Sequence, residues 1–110
     1  MLLAIDIGNT NIVIGCIKND EILFKARIAT DRIRTSDQYG VEIKNLIEAY
    51  GVILDQIDDC IISSVVPPVF NSVKTGVIKI LGSYFCNGTY GALARSYVYL
   101  RCRRKNTVFG

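Results

Sequence analysis

Histidine is absent from the chain, and every aspartate and glutamate lies at or before Asp59. A Cys/His zinc site is therefore impossible. The four cysteines, Cys16, Cys60, Cys86 and Cys102, form no C-x-x-C pair, so no structural metal is expected. Long apolar runs are missing as well: Asp, Asn, Lys, Arg or Gly interrupts each candidate before about 18 apolar residues accumulate, which argues against a membrane-spanning helix. The opening Met1-Leu2-Leu3-Ala4-Ile5-Asp6 has no basic region and places a carboxylate where a signal peptide would stay apolar. The expectation is a cytoplasmic protein whose cysteines remain reduced, with Cys16 and Cys60 serving as small core residues. Without export, the acceptor-like Asn87-Gly88-Thr89 has no meaning as a glycosylation site.

What is present suits a globular chain: 110 residues, half of them hydrophobic and 21% charged, enough apolar surface to offset the entropy of ordering one domain or part of one. The charge is unevenly spread. Residues 1–59 hold six Lys/Arg against ten acids, whereas residues 60–110 hold seven Lys/Arg and no acid.

Leu2 to Ile7 and Ile12 to Ile17 read as strands around a polar turn. Both alternating sets of the second strand are apolar, which predicts a central strand covered on both faces. Asn19-Asp20 marks a two-residue hairpin into a third strand over Glu21 to Ala29, with one wetter face. Thr35 followed by Gln38 is a capping-box pattern opening a helix whose apolar positions are Tyr39, Ile43, Leu46, Ile47 and Tyr50, with Gly51 at its end. Cys60 to Val66 is a fourth strand. Pro68 is placed at the first position of a second helix carrying Phe70, Val73, Val77, Ile80 and Leu81, despite Gly76 inside it. The order β-β-β-α-β-α places a meander before a right-handed crossover onto the fourth strand. Beyond Gly82 only Ser96 to Arg103 alternates, a weak fifth strand.

The chemistry concentrates at Asp6-Ile7-Gly8-Asn9-Thr10-Asn11. A tight turn of small residues exposes backbone N–H groups that can hold phosphate oxygens without a lysine. Gly8 permits close approach, and Asn9, Thr10 and Asn11 add side-chain donors. Asp6 can hold a water of a hydrated Mg²⁺. A plain hairpin would also favour Asp and Asn. By the same weighing, Thr30-Asp31-Arg32 reads as a loop whose side chains cap nearby backbone, Tyr39 as packing, and Ser63-Ser64 as strand hydroxyls bonding neighbouring carbonyls and therefore outside the site.

Leu3 to Asn11 resembles the first phosphate motif of the acetate and sugar kinase, heat-shock and actin superfamily, in the D-x-G-N-T form of type III pantothenate kinases. Thr30-Asp31-Arg32 with Thr35, Ser36-Asp37-Gln38-Tyr39-Gly40, and Ile61 to Pro68 agree in order and spacing. The resemblance covers Met1 to about Gly82 and implies an α/β actin-like, ribonuclease H-like first lobe. It further implies ATP-dependent phosphorylation of pantothenate, the first step of coenzyme A biosynthesis, with Asp6, Ile7, Gly8, Asn9, Thr10, Asn11, Ile12 and Val13 receiving the ATP phosphates. By the same resemblance the intact enzyme uses Mg²⁺ and a monovalent cation, K⁺ or NH₄⁺, and pairs as a homodimer. The family's base is the Asp of a Gly-Ala-Asp-Arg motif. Here Gly91-Ala92-Leu93-Ala94-Arg95 lacks it, so no catalytic residue is assigned and the chain alone is expected to be inactive. Residues 1–82 form the lobe in this reading. Residues 83–110 are a divergent or frame-altered tail, or else the chain is a fragment. The alternative function is a non-catalytic regulatory or nucleic-acid-binding protein using Arg95, Arg101, Arg103, Arg104 and Lys105 beside Tyr97 and Tyr99. A solvated terminus is the preferred account of that segment.

Overall fold

The computed structural model describes the backbone of residues 1–82, 84–92 and 95–102, with side chains described for 1–82 and 96–101. Six strands form one sheet: β1 (Leu2–Ile7), β2 (Asn11–Lys18), β3 (Glu21–Ala29), β4 (Asp59–Ser64), β5 (Tyr84–Ala92) and β6 (Arg95–Cys102). Helix α1 (Ser36–Ala49) joins β3 to β4, and α2 (Pro67–Leu81) follows β4. The sheet order is β3-β2-β1-β4-β6-β5. β1 pairs antiparallel with β2 and parallel with β4, so the β3–α1–β4 connection is a crossover that brings β4 beside the first strand. This is the expected β-β-β-α-β-α order of an actin-like first lobe, extended by the β5–β6 hairpin. β6 covers the alternating stretch seen in the sequence and pairs antiparallel with β4; β5 was not anticipated.

Alternation decides which side of the sheet is dry. Leu3, Ile5 and Ile7 of β1, Ile12, Ile14 and Cys16 of β2, Cys60 and Ile62 of β4, and Val98 and Leu100 of β6 all point to one face, where they are buried with Tyr39, Ile43 and Ile47 of α1 and Val69, Val73 and Val77 of α2. Burial pushes the Cys60 thiol well above its ordinary range. Both helices cover this face. The other face carries Ala4, Asp6, Val13, Gly15, Ile17, Ile61 and Ser63, all half-buried or exposed. This corrects the expectation that β2 is covered on both sides: among the described residues nothing packs over Val13, Gly15 and Ile17. Periodicity registers apolar residues on a face but not what lies against it.

Local signals act as the chemistry predicts. Thr35 caps α1 by accepting from the Gln38 N–H, and the Gln38 side chain accepts in return from the Thr35 N–H. Gly51 closes the helix end with φ +81°, where a Cβ would be strained. Tyr50 is half-exposed, yet its ring stacks on Phe24 with centroids 4.7 Å apart. Helix α2 begins one residue before the position expected, with Pro67 and Pro68 in its first turn, where neither removes a needed donor. Buried Ser64 shapes the bend before it, accepting from the Val66 N–H (2.9 Å) and donating to the Val66 carbonyl (3.1 Å). Gly76 is mid-helix because α1 and α2 cross there backbone to backbone. A Cβ on Gly76 would sit 2.4 Å from the Ser36 carbonyl oxygen, and one on Gly40 2.9 Å from the Gly76 carbonyl oxygen. At the far edge of β4, the Tyr99 hydroxyl donates to Asp59 (2.8 Å), which raises the phenol above its usual pKa.

Candidate functional site

The β1–β2 turn sits at the end of the central strand, where β1 and β4 run parallel and both finish. Its closure is one backbone bond, from the Gly8 N–H to the Asn11 carbonyl (2.9 Å). Gly8 is tightly placed: a Cβ there would lie 3.1 Å from that same carbonyl oxygen. The N–H groups of Asn9 and Thr10 donate to no protein acceptor among the described residues, and the side chains of Asn9, Thr10 and Asn11 are exposed. Two adjacent amides on exposed residues, with no protein acceptor among the described residues and short polar side chains beside them, are the donor arrangement that an anion can use.

The eight residues assigned from the sequence do not act alike. Asp6, Gly8, Asn9, Thr10 and Asn11 lie along the rim. The side chains of Ile7 and Ile12 are fully buried on the helix-covered face, so these two residues anchor the turn in the core. Val13 is half-buried on the open face, opposite Asp6 in register.

Asp6 is exposed on that open face, and the Ser63 hydroxyl donates to its Oδ1 at 2.7 Å. Ser63 was set aside in the sequence reading. It reaches Asp6 because the parallel register pairs Asp6 with Ser63, a long-range relation no local pattern reveals. The anticipated behaviour of strand hydroxyls holds for Ser64, which bonds Val66, and fails for Ser63. Lys25 and Arg27 of β3 stand on the same face, opposite Gly15 and Val13. Below the turn this face forms a shallow apolar groove of about 290 Å³ lined by Ala4, Val13, Gly15, Ile17 and Ile61. A larger concavity of about 760 Å³ lies along α1 and includes none of the turn's residues.

The Thr30 segment behaves as a capping loop. Thr30 bonds the carbonyls of both Gly8 and Thr10, and Asp31 accepts from the Ile33 N–H (2.9 Å). Tyr39 packs as expected, fully buried, but its hydroxyl also exchanges bonds with the Asp31 backbone.

One exposed carboxylate beside the turn fits a hydrated Mg²⁺, which usually takes one or two protein carboxylates and completes its shell with water and substrate phosphates. No group of three or more acidic, cysteine or histidine side chains converges among the described residues. Of the basic residues considered for nucleic acid, Arg101 is exposed on β6, while Arg103, Arg104, Lys105 and the side chain of Arg95 lie outside the described residues. No helix among the described residues is long and apolar enough to cross a membrane.

The family described as type III pantothenate kinase matches residues 2–91, running past the α2 end at Leu81 into β5. Similar curated proteins, each named type III pantothenate kinase, include one from Bifidobacterium longum subsp. infantis, 46% identical over 82 residues. Another is from Geobacter sulfurreducens, 48% identical over 86 residues, and a third from Brevibacillus brevis, 49% identical over 84. The matches cover 74%, 77% and 76% of this chain but only 32%, 32% and 31% of the relatives. The chain thus spans about a third of their length.

Proposed function

Because the chain belongs to the type III pantothenate kinase family, we propose that it forms the ATP-phosphate-binding lobe of an enzyme that phosphorylates pantothenate. The observation that carries this reading is the β1–β2 turn: closed by a single backbone bond, it leaves the amides of exposed Asn9 and Thr10 with no protein acceptor among the described residues, beside the Asp6 carboxylate.

The division of labour follows from the geometry. The amides of Asn9 and Thr10, with the side chains of Asn9, Thr10 and Asn11, bind and orient phosphate oxygens, and Gly8 keeps the approach open. Asp6, held by Ser63, keeps a carboxylate at the rim for the water shell of Mg²⁺. When bound, that ion neutralises charge accumulating on the phosphates. Transfer to a hydroxyl also needs an acceptor for its proton. No carboxylate follows Asp59 in this chain, and Gly91-Ala92-Leu93-Ala94-Arg95 carries none, so the base and the pantothenate pocket come from outside it. The lobe alone therefore binds nucleotide without turnover. Pantothenate as acceptor, the monovalent cation and a homodimeric assembly rest on the family alone.

Calorimetric titration of the chain with Mg-ATP, beside the Gly8→Val variant, tests the assignment. Binding by the parent chain that the variant loses supports it. Equal heats from the two proteins, or none from the parent, defeat it.

A further inference from the structure

Thr30 lies just beyond β3 and touches the turn twice. Its N–H donates to the Thr10 carbonyl (2.9 Å) and its hydroxyl to the Gly8 carbonyl (2.8 Å). A trans peptide unit is planar, with the C=O of one residue and the N–H of the next pointing in opposite directions, and every described peptide bond is trans. Fixing the Gly8 carbonyl toward Thr30 therefore turns the Asn9 N–H away from it. Fixing the Thr10 carbonyl does the same to the Asn11 N–H. A single residue thus orients two peptide planes of the turn.

Thr30 is itself held from behind. The Asp31 N–H donates to the Tyr39 oxygen (2.8 Å), and the Tyr39 hydroxyl donates to the Asp31 carbonyl (2.6 Å). The Tyr39 ring is fully buried on α1, next to the capping box that fixes the helix start. Arg34 lies over the ring at 5.6 Å and pairs with Glu42. A continuous set of bonds runs from a rigid helix, through Asp31 and Thr30, to the carbonyl side of the turn.

We infer that Thr30, backed by Tyr39, is a positioning residue for the nucleotide: its hydroxyl aims the Asn9 amide at the phosphates. This rests on the phosphate reading of the turn proposed above. If the bond only tied a loop to a hairpin, its loss would lower the melting temperature but leave the amide directions and the affinity of the folded protein unchanged.

The test is nuclear magnetic resonance of the ¹⁵N-labelled chain, titrated with Mg-ATP well below the melting temperature of the least stable variant. Thr30→Val keeps the shape and the backbone donor while deleting the hydroxyl. It should shift the Asn9 amide resonance, leave that of Asn11 nearly in place because the Thr30 N–H still holds the Thr10 carbonyl, and weaken Mg-ATP binding about tenfold, the scale of one lost hydrogen bond. Thr30→Ser should restore both. Tyr39→Phe should weaken binding about threefold and, combined with Thr30→Val, add less than its own effect, because both act through one contact. Unmoved amides with unchanged affinity in Thr30→Val overturn the inference. So does a loss that Thr30→Ser fails to restore and that follows the melting temperature. Absence of binding by the parent chain removes the phosphate reading and this inference with it, whereas parent binding matched by Thr30→Val removes the inference alone. Should Thr30→Val not fold, Tyr39→Phe decides: unaltered affinity there overturns the proposal.

Discussion

Strand β2 is entered and left by two tight reversals that are built in opposite ways. The Asn19-Asp20 turn leading to β3 is self-sufficient. Both residues adopt positive φ, 52° and 64°, the backbone twist that suits a two-residue hairpin, and both are exposed. The Gly8 to Thr10 turn leading into β2 uses no positive φ. It takes its shape from elsewhere, through the Thr30 contacts and the buried Ile7 and Ile12 on either side. A reversal that only has to connect strands can be specified by its own two residues. The turn proposed to present amides to phosphate is instead shaped by distant parts of the fold, with Thr30 holding its Gly8 and Thr10 carbonyls.

The sharpest way to break this comparison is Gly8→Val. Its side chain meets the Asn11 carbonyl that closes the turn. Overpacking at about 2 kcal/mol corresponds to roughly thirtyfold weaker Mg-ATP binding, measured by calorimetry, together with a lower melting temperature. Asp6→Asn is next. It should cost about tenfold in affinity for ATP with Mg²⁺ present and, with the metal chelated, leave the affinity unchanged or raised, because without the ion the carboxylate only repels the phosphates. Ser63→Ala removes a hydrogen bond to Asp6 at an accessible site, so a loss of about threefold is expected, with the same dependence on Mg²⁺. Asp20→Gly, at the other end of β2, sharpens the contrast. It relieves a left-handed conformation and should stabilise the fold by about 0.5 kcal/mol in thermal unfolding while leaving nucleotide affinity unchanged.

Much of the fold was legible because its signals are local. The Thr35/Gln38 cap, Gly51 at the end of α1, the Asn19-Asp20 hairpin and the prolines opening α2 each state their conformation within a few residues. The proposed rim is local in the same way, since Asp6, Gly8, Asn9, Thr10 and Asn11 fall within six residues. What stayed hidden was whatever depends on register between distant strands. Ser63 is 57 residues from Asp6, and only the parallel pairing of β1 with β4 brings the hydroxyl to the carboxylate. Tyr39 showed its apolar face in the helical periodicity, whereas its hydroxyl, which anchors Asp31, left no periodic trace. β5 escaped notice because its strand rests on pairing with β6 and its sequence alternates poorly.

The helix crossing carries a consequence for how this chain can vary. When two side chains touch, shrinking one can make room for enlarging the other, and paired substitutions can drift together. At Gly40 and Gly76 that route is closed, because an added carbon on either would strike the opposite main chain, which no exchange of residue type can trim. Randomising both positions together and selecting for folded protein should return glycine at each, with no compensating partner anywhere else on the two helices.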